Sequence, residues 1–265
     1  MKRYTIKEKT WLKENYPLLG SKKCMEYLNR SNASICQTAR KMGCSVSRSL
    51  RNKLHSETLI SNFSPSILPD IFEHVNTKEA AYVMGILWAD GWTQSTNDYS
   101  LNIKLVKDDF MELLPIFYKL GNWKRYDYYP KNRKPTIQLR VSGKSITDVF
   151  TNLGYTTKSY SSANVVLSTI PDHLKKYWWR GYFDGDGHIR SSHPYRLEFS
   201  SAWNQDWSFL PSDYPFKISI TKSDKSSYSK ARLYSKSEIL KFGNMLWSDW
   251  DNVGLSRKYN EFSKL

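Results

Sequence analysis

The chain is poor in several residue types, and each shortage excludes a class. It has only three cysteines in 265 residues, Cys24, Cys36 and Cys44. They form no C-x-x-C pair and have no His pair nearby, so neither a disulfide framework nor a zinc site is indicated. Its longest apolar run, Ala80 to Ala89, is ten residues, against the roughly 20 that a membrane span requires. The opening MKRYTIKEKTWLKENY alternates charge with apolar residues and lacks a secretory core, so nothing marks export or a membrane. A reducing compartment is expected, either the cytoplasm of a bacterial or phage-infected cell or an organellar matrix. Acidic residues are scarce too, 25 against 40 Lys and Arg, for a net charge of +15. What remains is 40% hydrophobic and 15% aromatic, enough to bury one or two cores and too apolar for disorder.

A positive surplus attracts polyanions, and nucleic acid is the commonest such partner. The surplus is uneven, since residues 1–60 hold 13 Lys and Arg against 4 Glu, a net +9. That segment predicts three short helices. Thr5 and Glu8 form a capping box ahead of Trp11, Leu12 and Tyr16, and Pro17 and Gly20 stop the first helix. A second runs from Ser21 through Leu28, and a third from Ser31 or Asn32 to Gly43. This is the size and order of a helix-turn-helix, whose last helix enters the major groove. Ser34, Gln37, Thr38, Arg40 and Lys41 are the exposed candidates on that helix, and Ser34, Gln37, Arg40 and Lys41 are taken as DNA contacts. The stretch KENYPLLGSKKCMEYLNRS resembles the small helix-turn-helix modules attached to phage and intron endonucleases. Residues 1–45 are read as this domain and 46–75, rich in Ser, Asn and Pro, as a linker.

From residue 76 the chain repeats itself. NTKEAAYVMGILWADG and PDHLKKYWWRGYFDGDG are both helices ending at Asp-Gly, with Gly85 matching Gly181, Ala89 matching Gly185 and Asp90 matching Asp186 at an offset of 96. Alternating strand-like runs follow each, SLNIKLV and TIQLRVS in the first copy, then RLEFSS, FKISITK and KARLYS in the second. Both copies close alike, LGYTTK around Lys158 and VGLSRK around Lys258. The expected fold is α+β, two tandem pseudo-symmetric αββαββα units with antiparallel sheets, over residues 76–165 and 166–265.

Small residues four apart, Gly85 with Ala89 and Gly181 with Gly185, make flat strips on which two helix backbones can pack closely. If the strips face each other, Asp90 and Asp186 meet at a pseudo-two-fold axis. Two such carboxylates repel unless a cation compensates them, and the carbonyls of Ala89 and Gly185 add oxygen ligands suited to Mg²⁺. GILWADG and RGYFDGDG resemble the paired motifs of the LAGLIDADG homing endonucleases in their single-chain form. The resemblance covers residues 76–262. It implies saddle-like sheets, metal-binding acids at Asp90 and Asp186, and basic residues near the scissile phosphate at Lys158 and Lys258, where an ammonium offsets transition-state charge. It also implies Mg²⁺, with Mn²⁺ as a substitute, and a monomer that cuts a long, imperfectly palindromic DNA duplex on both strands, leaving short 3′ overhangs. The first motif departs from the pattern in carrying Trp88 where the second has Asp184.

The strands offer a reading surface. With Leu101, Ile103, Ile137, Leu139 and Val141 inward, Asn102, Lys104, Gln138 and Arg140 point outward. In the second copy Lys217, Ser219 and Thr221 oppose Ile218 and Ile220, and Lys230 and Arg232 oppose Ala231 and Leu233. Such side chains match base edges in the major groove. The reading is therefore a site-specific Mg²⁺-dependent DNA endonuclease. Its rivals are a non-cleaving intron RNA maturase or DNA-binding regulator on the same fold, and a nickase with one competent half.

Overall fold

The computed structural model describes residues 4–47, 50, 69–95, 98–223 and 226–265. The chain divides into two compact units, residues 1–64 and 65–265, each with its own core.

In the first unit α1 spans Ile6–Leu28 and α2 Asn32–Lys41. The Thr5 capping box forms, with Glu8 Oε2 accepting from Thr5 N at 2.7 Å and Thr5 Oγ1 from Glu8 N at 3.2 Å. Glu8 also receives Arg30, whose guanidinium bridges the helix start to the turn after α1 at 3.0 Å. The expected stop at Gly20 is a kink, with φ +72 and ψ 177, after which the helix resumes at once. Asn29 closes α1 in the left-handed region, and the Ser31 side chain caps α2. Leu12, Cys24, Ile35 and Ala39 are fully buried between the two helices.

The 46–75 stretch read as a linker lies largely outside the described residues. Its end forms α3, Asp70–Glu73, whose buried Phe72 packs edge-on against Phe150 at 5.0 Å. The second unit continues with α4 Lys78–Asp90, β1 Gly91–Gln94, β2 Ser100–Val106, α5 Lys107–Lys119, β3 Lys124–Tyr128, β4 Thr136–Ser142 and α6 Lys144–Asn152. After a short α7, Asn164–Thr169, come α8 Asp172–Asp186, β5 Gly187–Arg190, β6 Arg196–Ser201, β7 Lys217–Lys222, β8 Ser227–Leu233, α9 Lys236–Trp247 and α10 Ser256–Phe262. The two antiparallel sheets share one order, β1-β2-β4-β3 and β5-β6-β8-β7, so the sequence repeat is a structural one.

The copies differ in their middle. The first follows αββαββα, but residues 202–216 of the second form no helix. That segment, AWNQDWSFLPSDYPF, contains two prolines, and Asn, Asp and Ser compete for its backbone; the Asp206 carboxylate accepts from Ser208 N at 2.9 Å. Its aromatics still fill the core, Trp207 and Phe209 both being buried. A second departure lies on edge strand β7. Ile218 and Ile220, expected inward, are 43% and 63% exposed. They share a face with buried Ala231, so the alternation holds while the core stops short of the edge.

Candidate functional site

The site begins with how closely α4 and α8 pack. A Cβ placed on Gly85 would stand 2.0 Å from the Trp178 carbonyl oxygen, and one on Gly181 2.1 Å from that of Tyr82. At Gly185 it would lie 2.3 Å from Ala89 Cβ and 2.8 Å from Asp90 Oδ2. No side chain fits such gaps, so the helices touch backbone to backbone along the strip of small residues. The contacts climb both helices together, Tyr82 with Gly181 and Ala89 with Gly185, so the helices run parallel and their C-termini meet. Asp90 and Asp186, each the last residue of its helix, come together there, with the Asp90 carboxylate over Gly185.

Neither carboxylate has a hydrogen-bond donor or ion-pair partner among the described residues, although both are half-buried. Burial pushes Asp90 up, with Lys158 and Lys258 opposing the shift. Asp186 is pushed up to about 7, by burial and then by the charge of Asp90. The lysines respond in the opposite sense. Burial pushes Lys158 down to about 8 against the pull of Asp186 and Asp90, and burial with neighbouring Arg257 pushes Lys258 down to about 8. Two desolvated carboxylates at helix C-termini, short of donors, have the chemistry of a divalent-cation site.

The lysines are not equivalent. Lys158 Nζ donates to the last carbonyls of α4, Leu87 at 3.2 Å, Trp88 at 2.6 Å and Ala89 at 2.5 Å. The Ala89 carbonyl, expected to face a metal, is thus shared with an ammonium. Lys258 Nζ donates to the Gly187 carbonyl and lies 5.1 Å from the Phe183 ring centroid. A cavity of about 30 Å³ beside the first lysine is lined by Trp88, Ala89, Lys158, Ser159, Tyr182, Asp186, Ser201 and Gln205, room for a water-sized ligand. The Tyr182 hydroxyl is buried without a hydrogen-bond partner among the described residues. Ser159, Tyr182, Ser201 and Gln205 were not among the sequence candidates. Gln205 lies in the irregular segment of the second half, and no periodic signal announces it.

The sixth motif positions serve different ends. Trp88 packs edge-on against Tyr155 at 5.1 Å. Asp184 is buried, accepts from Tyr82 OH and Leu255 N at 2.8 Å each, and is pushed up to about 7 by burial against those two bonds. Its side chain lies in the protein interior. Elsewhere, Asp70, Glu73 and His74 gather ligand-type atoms within 4.8 Å of one another. All three are exposed, His74 Nε2 lying 3.6 Å from Asp70 Oδ1 on the surface.

The outward faces of the sheets carry most of the expected side chains, but Asn102, expected outward, is only 2% exposed, its amide donating to Ser100 Oγ at 3.0 Å. Asn102, Gln138 and Tyr128 form a chain across β2, β4 and β3, at 3.1 Å for each link, and Lys104 lies over the Tyr128 ring at 4.2 Å. Arg140 is paired with Asp98. On the second sheet Lys217, Ser219 and Thr221 line β7, but Lys230 and Arg232 are tied to the buried carboxylate of Glu198 at 3.1 and 2.9 Å. Arg232 also donates to Ser219 at 2.9 Å. These two bases are therefore anchored rather than freely outstretched. In the first unit Gln37, Arg40 and Lys41 are exposed on α2, while half-buried Ser34 bonds Tyr4 OH at 3.2 Å.

No family profile matches the chain, and no curated protein matches it in sequence. Solved structures do match. The homing endonuclease I-DmoI is 15% identical with a TM-score of 0.45, covering 65% of this chain and 96% of its own. The I-LtrWI LAGLIDADG homing endonuclease bound to target DNA is 13% identical with a TM-score of 0.43, covering 70% and 88%. I-SmaMI, bound to an uncleaved DNA target in the presence of calcium ions, is 13% identical with a TM-score of 0.39, covering 63% and 84%. I-DmoI structures also include complexes with DNA and Mn and with DNA and Ca. No helix among the described residues is long and apolar enough to cross a membrane.

Proposed function

We propose that the chain is a site-specific double-strand DNA endonuclease that uses Mg²⁺, or Mn²⁺ in its place. The observation that carries this reading is the meeting of Asp90 and Asp186 at the ends of two helices packed through glycine, without a donor between them. Asp90 and Asp186 would hold divalent cations, with helix-end carbonyls beside them. Such a cation, when bound, activates water and stabilises the leaving oxygen of a phosphodiester.

The chain's own residues supply the rest. Lys158 and Lys258 bring ammonium groups to the ends of the motif helices and oppose the charge of the carboxylates, where they would also offset charge building on a phosphate. The sheets would read the duplex through Lys104, Gln138, Lys217, Ser219 and Thr221, with Arg140, Lys230 and Arg232 released or bridging on contact. The first unit, through Ser34, Gln37, Arg40 and Lys41, would bind DNA as a helix-turn-helix. One chain carries both halves of the site, so a monomer suffices and an imperfect palindrome matches its pseudo-symmetry.

Incubating the protein with a duplex DNA library in Mg²⁺, then sequencing the new ends, tests the reading. Discrete ends with short 3′ overhangs are expected. Binding without new ends, in Mg²⁺ and in Mn²⁺ with the bound sequence present, would favour a maturase or regulator.

A further inference from the structure

Arg180 is the largest charged side chain that α8 buries completely, and its position in the apolar run YWWRGYF needs a reason. A guanidinium without compensation is very costly to bury. Here every arm is engaged. Nε and one terminal nitrogen donate to the Leu246 carbonyl at 2.8 and 2.5 Å. The other terminal nitrogen donates to the Val253 carbonyl at 2.9 Å and Asp251 at 3.0 Å. The cation lies between the rings of Tyr177 and Trp250, 4.8 and 5.4 Å from their centroids.

Apart from Tyr177, which lies on α8 itself, these partners belong to the end of α9 and the segment that leads from it to Lys258. Asp184, one turn further along α8, holds the same segment through Leu255 N at 2.8 Å. Between the two holds lies Gly254, with φ +134, where a Cβ would fall 2.9 Å from Asp184 Oδ2 and 3.0 Å from Arg180 Cδ. Only glycine adopts that conformation so close to both. Lys258 N then bonds the Leu255 carbonyl at 3.0 Å, opening the helix that carries the ammonium back to the Gly187 carbonyl.

The first half performs the same task with other chemistry. Met84 matches Arg180 and Trp88 matches Asp184 at the offset of 96. The Tyr155 hydroxyl donates to the Met84 carbonyl at 2.7 Å, its ring packs on Trp88 at 5.1 Å, and Gly154 turns with φ +87 ahead of Lys158. One half is fastened by buried charge, the other by an aromatic pair and a neutral hydrogen bond.

We propose that Arg180 and Asp184 are positioning residues for Lys258, as Trp88 and Tyr155 are for Lys158, so that each half of the site sets its lysine independently. The consequence for cleavage, separate loss of each strand, rests on the endonuclease reading. The placement of the lysine does not.

The test uses the full chain and a supercoiled plasmid bearing the cleavage site. Asp184→Leu and Lys258→Met should slow cutting of the same strand by about a hundredfold and leave the other within about threefold, so nicked circles accumulate. Asp184→Asn, which keeps an oxygen for Leu255 N, should recover to within about tenfold of wild type. Tyr155→Leu should slow the opposite strand. Arg180→Lys, which keeps the charge but cannot span Leu246 and Val253, repeats the experiment if Asp184→Leu does not fold. In parallel, NMR of ¹³Cε-lysine-labelled protein, with Lys158→Arg and Lys258→Arg for assignment, reads the placement without DNA. The Lys258 signal should move toward the exposed lysines in Asp184→Leu or Arg180→Lys, and the Lys158 signal should stay. Equal slowing of both strands, or an unmoved Lys258 signal, overturns the proposal. If no form of the protein cuts DNA, the endonuclease reading falls, and the lysine signals alone decide the positioning of Lys258.

Discussion

A carboxylate held beside another at a helix end is disfavoured as an ion, and Asp186 bears the larger share, pushed up to about 7 by burial and by Asp90. Its unfolded value lies near 4, so between about pH 4 and 7 the folded chain binds more protons than the unfolded one. Without metal, stability therefore falls as pH rises through that window, and the full penalty applies above it. Asp186→Asn should thus raise stability in EDTA at pH 8 by about 2 kcal/mol, half the roughly 4 kcal/mol that a three-unit shift represents, because the site is partly solvated. The gain should vanish near pH 4, as urea titrations at both pH values would show; an equal gain at both would contradict the cause. Adding Mg²⁺ or Mn²⁺ should stabilise wild type more than this variant, read as the shift in Tm. Asp90, Asp186, Lys158 and Lys258 were legible because each occurs twice in register. Arg180 and Tyr155 were not, because their partners lie some 70 residues away along the chain and their contacts follow no period. A charged residue amid the aromatics of YWWRGYF was the one available signal for Arg180.

At the scale of the elements, the motif helices hold the site by steric fit. Gly181→Ala would drive a methyl group to 2.1 Å from the Tyr82 carbonyl, and should destabilise the fold by about 3 kcal/mol or more, since backbone cannot move aside. A loss under about 1 kcal/mol by chemical denaturation would mean that the helices are further apart. On the second sheet Glu198 restrains Arg232 and Lys230, and these hydrogen bonds hold its carboxyl low although burial, the larger influence taken alone, pushes it up. Glu198→Gln should free both bases, giving tighter, less selective DNA binding with a steeper salt dependence. Unchanged affinity and slope would place those bases off the DNA. Strand alternation made these faces readable in sequence. It could not reveal that β7 overhangs the core, which depends on what covers a sheet edge, nor that the second half lacks a middle helix.

At the scale of the whole molecule, charge and compactness separate in a useful way. Residues 1–60 carry +9 of the +15 net charge, while the motif helices and both sheets lie in the unit spanning 65–265. A fragment of residues 65–265 should keep strand cleavage but bind its target more weakly, with a shallower dependence of log affinity on log salt. If the fragment binds as tightly as the full chain at every salt concentration, the first unit contributes nothing to affinity. The duplication, and with it the two-fold placement of the site, was written in the sequence as a repeat. The sharing of the Ala89 carbonyl with Lys158 emerges only from three dimensions. The most direct measurement is single-turnover cleavage of each strand of the target in Mg²⁺ by wild type, Asp90→Asn and Asp186→Asn, with binding measured alongside. The expected result is intact binding and a loss of at least about a thousandfold on one or both strands in either variant. Cleavage within about tenfold of wild type in both variants would contradict a site built on this pair of aspartates.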